Sequence, residues 1–201
     1  MERMRRWWGM PTTHRPDAVR RQLDEVTGLP RYSPADGSLA ASATGSAIVI
    51  EVDGYLMTSQ IKGFRSAESL LIDAASCVAA VVEPVEGRVR RMTGPQLVVL
   101  LPTRDPEMLA DLASRLALVD DRPTPAYRTG LTLGYAVSPV GGRDVPALVR
   151  SAIVALAHAR REGAGSAVAF QEGLADDARE RFAFARVSRA AERDVREPSP
   201  L

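Results

Sequence analysis

Apolar residues recur along this chain in two rhythms, and the change from one to the other marks its elements. Ala47 to Val52, AIVIEV, is apolar and β-branched and predicts a first strand, with the acids Glu51 and Asp53 at its end. Ala67, Leu70, Leu71, Ala74, Val78 and Val81 then fall at helical spacing, so the stretch 65–82 predicts a helix packed back on the sheet. Val89 to Pro102, VRRMTGPQLVVLLP, reads as two strands joined by a tight turn at Thr93-Gly94-Pro95-Gln96, because glycine and proline between apolar runs punctuate hairpins. Leu97 to Leu101 is apolar without alternation, as suits a strand covered on both faces, and this predicts it at the centre of the sheet. Leu109, Leu112 and Leu116 repeat the helical pattern over Pro106 to Val119, with Pro106 in the first turn. Tyr127 to Val137 alternates, placing Leu131, Leu133, Tyr135 and Val137 on one face. Asp144 reads as the cap of a helix through Val145, Leu148, Val149, Ala152 and Leu156 that stops near Gly163, and Ser166 to Phe170 as a last short strand.

The order β, α, β-β, α, β, α, β, with a helix on one face of a mainly antiparallel sheet and a hairpin at its centre, is an α+β, ferredoxin-like or palm-type arrangement. Its span is 24–170. Before it, residues 1–23 hold a basic, tryptophan-bearing segment, Arg5-Arg6-Trp7-Trp8-Gly9, and a short helix from Pro16 to Leu23. Ser33 to Gly45 is small and polar, a loop or weak helix. After the domain, 171–201 form a charged C-terminal helix and tail, with Leu174, Ala178, Phe182 and Ala185 along one side of the helix. Trp7, Trp8, Phe182 and Phe184 are the candidate interface residues, because large aromatic side chains in charged surroundings anchor contacts.

Composition narrows the picture. A chain of 201 residues, 45% hydrophobic and 25% charged, buries one core and carries appendages. A formal charge of +1 gives no general reason to expect nucleic acid. The single Cys77 excludes an internal disulfide and reads as a small core residue, while His14 and His158 are too few for a His-rich metal site. No apolar run approaches the roughly 20 residues that span a bilayer, and the N-terminus lacks the apolar core of a signal peptide, so a cytoplasmic protein is expected. Arg88, Arg90 and Arg91 are either an anion-binding strip or salt-bridged strand positions.

Four stretches, in order and at matching spacing, resemble the GGDEF family, the diguanylate cyclase domain. Asp24-Glu25-Val26-Thr27-Gly28-Leu29-Pro30 is similar to the opening D-x-L-T-G-L-P, and Glu51-Val52-Asp53-Gly54-Tyr55 to the D-x-D-x-F strand end. Arg91-Met92-Thr93-Gly94-Pro95-Gln96-Leu97 sits where R-[LYF]-G-G-D-E-F stands in the family. Leu131-Thr132-Leu133-Gly134-Tyr135-Ala136 is similar to the V-T-V-S-I-G strand, and the spacing Ala178 to Phe182 to the helix that leads into an EAL domain.

The resemblance implies a chemistry and where it fails. The family joins two GTP molecules into cyclic di-GMP and needs carboxylates to hold Mg²⁺ on the triphosphate. Those positions are Glu51 and Pro95 here, and a proline has no carboxylate. Gln96 is neutral where the family has an acid, and Thr93 replaces the first signature glycine, so Thr93, Gly94, Pro95, Gln96 and Leu97 form a degenerate signature. The guanine-reading pair falls on Ser59 and Glu68, and the phosphate-binding pair on Arg160 and Ala164. The product-binding R-x-x-D falls on Pro84 to Gly87, without its Arg or its Asp. The resulting expectation is a domain with no catalytic residues and no resident cofactor or metal, although Glu51 and Asp53 are residual metal candidates. It acts through an unidentified protein partner or a second copy of itself in cyclic di-GMP signalling. The alternative is a non-catalytic receptor that takes GTP or a guanine dinucleotide, with Mg²⁺, through Glu51, Ser59, Glu68 and Arg160.

Overall fold

The computed structural model describes residues 23–34, 44–118, 130–174 and 176. The elements run β1 (Ser46–Val52), α1 (Tyr55–Lys62), α2 (Phe64–Val82), a 3₁₀ turn at Glu83–Val85, β2 (Arg88–Arg91), β3 (Gln96–Leu101), α3 (Pro106–Ala117), β4 (Leu131–Val137), α4 (Val145–Glu162) and β5 (Ala167–Ala169). The five strands lie in the order β2-β3-β1-β4-β5. All pairs are antiparallel except β4 with β5, so the sheet is mixed.

Alternation along the strands divides the core into two layers. Ile48, Ile50, Val52, Leu97, Val99, Leu101, Leu131 and Leu133 join α2 and α3 on one face. Ala47, Val49, Val98, Leu100 and Ala136 meet Val145, Leu148, Val149, Ala152 and Leu156 of α4 on the other. Helices therefore flank the sheet on both faces, α2 and α3 on one and α4 on the other, as the α+β reading expects. The stretch Leu97 to Leu101 is buried on both faces as its pattern predicts, but the hairpin is not central: β2 is the edge and β1 the middle strand. A continuous apolar run reports that both faces are covered; it carries no information on how many strands lie to each side.

Helix ends follow local chemistry. The Asp105 carboxylate accepts from the backbone N–H of Glu107 at 2.9 Å and caps α3, and that of Asp144 accepts from Ala147 N–H at 2.7 Å and caps α4. Helix α1 has no counterpart in the periodicity. Of its residues only Thr58 is buried, so no apolar stripe faces the core to announce it. Its boundaries are set by Gly54, with φ of 74°, and Gly63, with φ of 85°.

Candidate functional site

The end of β1 is where the two halves of the molecule converge. Glu51 continues the face of Ala47 and Val49, toward α4, and lies in register with Gln96 of β3 and Thr132 of β4. Arg160, in the last turn of α4, makes a bidentate ion pair with Glu51: its Nε donates to one carboxylate oxygen at 3.0 Å and its terminal NH₂ to the other. The Gln96 amide donates to the same carboxylate at 3.3 Å. Three of the residues expected here, Glu51, Gln96 and Arg160, are thus brought together.

Asp53 is used differently. The Thr132 hydroxyl donates to its carboxylate at 2.8 Å, and the backbone N–H of Gly165 at 3.0 Å, so Asp53 ties β1 to β4 and to the turn before β5. Burial raises the Asp53 pKa above the usual carboxylate range, while the hydrogen bonds from Thr132 and Gly165 act in the opposite direction. The residual metal pair of the sequence reading is therefore split between an arginine and a structural tie. With Pro95 contributing no carboxylate, this donor set does not fit a Mg²⁺ ion, which asks for hard oxygens unopposed by a neighbouring guanidinium. Among the described residues no group of three or more His, Cys, Asp or Glu side chains could hold a metal.

Ser59 sits on α1 and its hydroxyl donates to the carbonyl of Leu56, within its own helix, at 2.7 Å. Glu68 lies on α2, half-buried. Neither is among the hydrogen-bonded partners of Glu51 and Arg160. Trp7, Trp8, Phe182 and Phe184 lie outside the described residues, as do all of the helix expected from Pro16 to Leu23 but its last residue and most of the segment where a charged C-terminal helix is expected.

The signature turn is built from the other side of the sheet. Met92 N–H donates to the carbonyl of Gln96 at 3.0 Å, Gln96 N–H to that of Thr93 at 3.2 Å, and Val52 N–H to that of Pro95 at 3.0 Å. Gly94 holds φ at 58°, with nothing within 4 Å of where a Cβ would stand. Arg91 braces this loop. Its guanidinium donates to the carbonyls of Met92 at 2.7 Å and Gln96 at 2.8 Å, and to that of Gly94. Its Nε lies 3.6 Å from Asp24, which also accepts from the N–H and hydroxyl of Thr27, both at 2.9 Å. The stretch Asp24 to Pro30 is thus a bracket for Arg91, closed by the Arg91 N–H bond to the Pro30 carbonyl at 2.8 Å.

Burial pushes the Arg91 pKa below its ordinary value, and the Asp24 charge pushes it back up. This role was not read from the sequence, where Arg88, Arg90 and Arg91 were grouped. In the strand Arg91 turns inward with Val89, while Arg88 and Arg90 take the opposite side, so the three do not form one strip. Arg91→Met, which keeps the stem and removes the charge, is expected to cost roughly 2–4 kcal/mol by taking the guanidinium donor from the Met92, Gly94 and Gln96 carbonyls and leaving Asp24 to Thr27 and Arg31 alone. Urea unfolding reads it, and a midpoint matching wild type would remove the bracket from the account.

The molecule with this architecture has relatives of known shape. The GGDEF domain of TpbB (YfiN) from Pseudomonas aeruginosa superposes with a TM-score of 0.70 at 20% identity, over 78% of this chain and 99% of that one. The fold is that of a GGDEF domain. A second GGDEF domain, that of DgcB from Caulobacter crescentus in complex with c-di-GMP, gives a TM-score of 0.61 at 18% identity over 78% and 98% of the two chains. No family model matches the chain. Among curated proteins it is 28% identical, over 81% of its length and 22% of the relative, to an uncharacterized signaling protein of Caulobacter vibrioides. It is 24% identical, over 67% of its length and 20% of the relative, to the bifunctional diguanylate cyclase/cyclic di-GMP phosphodiesterase MucR of P. aeruginosa. The chain spans about a fifth of the length of these two relatives. Among the described residues no helix is long and apolar enough to cross a membrane.

Proposed function

We propose that this GGDEF domain is catalytically inactive and works by contact with another protein in or near cyclic di-GMP signalling. The observation that carries the reading is the ion pair of Glu51 with Arg160, beside a turn that offers Pro95 and Gln96. The side chain that would hold a metal by resemblance is neutralised by the side chain that would hold a phosphate. A triphosphate must compete with Glu51 for Arg160, and a cation must compete with Arg160 for Glu51. The same pair weighs against a nucleotide receptor built on Glu51, Ser59, Glu68 and Arg160. The signalling context is supported by the names of the two curated relatives.

Calorimetric titration of the purified chain with GTP and with cyclic di-GMP, each with Mg²⁺, tests the reading. The expected result is no binding at micromolar concentration. Micromolar binding of either ligand would replace the contact reading by the receptor one, and Arg160→Ala should then abolish it. Purification as a monomer with no specific partner would count against the contact reading directly.

A further inference from the structure

Helix α1 and the start of α2 form a corner that the Glu51–Arg160 pair does not use, and it is apolar on the outside. Leu56, Met57, Ile61 and Phe64 are 67%, 46%, 59% and 75% exposed. Met57 and Ile61 lie four residues apart on α1, the spacing that lines side chains up along a helical surface, and Phe64 opens α2 just past the break at Gly63. The other large exposed apolar residues among those described, Met108, Leu118, Val140 and Ile153, are spread over α3, its exit, a loop and α4. Exposed apolar residues gathered at one corner mark interaction surfaces far more often than the same residues scattered singly.

Charge selects among occupants. From Gly54 to Ala67 the charges are the exposed cations Lys62 and Arg65, while the flanking acids are less available, Asp53 held by Thr132 and Gly165 and Glu68 half-buried on α2. A second copy is disfavoured, because a two-fold pairing centred on this corner brings two cationic rims together. The described residues after β5 lie away from it. The corner follows Val52, in register with Leu131 at the start of β4, whereas β5 ends on Ala169, in register with Tyr135 farther along that strand. From there Phe170, Glu172 and Asp176 line a hollow with Val140 and Arg150.

We infer that the α1–α2 corner is the docking surface for an acidic amphipathic segment of a partner protein. Apolar anchors of that segment would cover Leu56, Met57, Ile61 and Phe64, and carboxylates beside them would face Lys62 and Arg65. The inference rests on the reading of this domain as one that works by protein contact, and it names the surface and the chemistry of what binds there.

The test uses the full chain and a designed, fluorescein-labelled helix of about 18 residues, five turns, with Leu and Phe on one stripe and Glu elsewhere. Fluorescence anisotropy is expected to give a Kd on the order of 10–100 µM, weakened about tenfold or more by the double substitution Ile61→Gln and Phe64→Ser. The same helix with Lys in place of Glu is expected to bind at least about tenfold more weakly, and the double reversal Lys62→Glu and Arg65→Glu to invert that preference. All four substituted side chains lie on the surface, and circular dichroism matching wild type certifies the fold. No binding of the acidic helix, equal binding of both helices, or binding indifferent to Ile61 and Phe64 would overturn the proposal. Tighter binding to phosphatidylglycerol vesicles than to the helix would assign the corner to a membrane surface and overturn it. A concentration-dependent dimer abolished by the same apolar variant would assign it to a second copy. Failure of the peptide arms leaves the contact reading standing, whereas micromolar nucleotide binding in the titration above removes that reading whatever the peptides do.

Discussion

Gly134→Ala is expected to lower stability by about 3 kcal/mol or more, far beyond the usual cost of adding one methyl group, and Gly134→Val to prevent folding. Gly134 lies in β4 between Val49 of β1 and Val168 of β5, on the face that carries α4. A Cβ built there runs into the backbone N of Leu156 and the carbonyl of Ala152, and stands 2.7 Å from the carbonyl carbon of Ala155. These are main-chain atoms of a regular helix, so no side-chain rotamer can relieve the overlap. Either α4 lifts off the sheet or β4 bows away from β1. Lifting α4 uncovers Ala47, Val49, Val98 and Leu100, which it buries. It also pulls Arg160 from Glu51, so the substitution reaches the candidate site through packing alone. Urea denaturation of Gly134→Ala beside wild type measures the effect. An unchanged midpoint would mean that the close approach of α4 to β4 is not what holds that layer.

The same contact shows which parts of the fold the sequence announces. Helices α2, α3 and α4 and the strands each bury an apolar face, and alternation or helical spacing reveals such a face directly. Helix α1 turns Leu56, Met57 and Ile61 outward and buries only Thr58, so its pattern has no core to report. At the site, resemblance pointed to Glu51, Gln96 and Arg160 one at a time. Their convergence follows from the parity that puts Glu51 on the α4 face with Ala47 and Val49, and from the registers that set it beside Gln96 of β3 and Thr132 of β4. The bracket of Asp24 on Arg91 was hidden for another reason. A motif match says that a stretch has a fixed shape, but the buried cation which that shape serves lies in a different hairpin. The partner of Asp53 was equally out of reach, since Thr132 reads as an outward position in an alternating strand and is in fact buried beneath α4.

Product formation from GTP and Mg²⁺ is expected to be absent in the wild-type chain and to stay absent after Gln96→Glu. Losing a metal carboxylate and the acid beside it removes several kcal/mol of transition-state stabilisation, a factor of about 10³ or more in rate. Gln96→Glu returns only the neighbouring acid. It also replaces an amide that donates to Glu51 with a second carboxylate, so the restored charge turns toward Arg160 rather than toward a metal ion. Adding Pro95→Asp supplies the missing carboxylate and leaves the backbone carbonyl that accepts from Val52 in place, since that bond does not involve the side chain. The double variant nevertheless keeps the Glu51–Arg160 pair, which still has to open before Glu51 can face a metal. Only when Thr93→Gly and Arg160→Lys are added does the site regain an unhindered phosphate loop and a cation that holds the carboxylate less rigidly than a bidentate guanidinium does. Chromatographic detection of cyclic di-GMP along this series separates the causes. Product from Gln96→Glu alone would show that Pro95 is not the fatal change. Product from the double but not the single variant would place the block in the missing carboxylate and clear the ion pair. Product appearing only in the quadruple variant would show that the ion pair, the closed phosphate loop or both block the site after the carboxylates return, and reverting Arg160→Lys in that background would tell them apart.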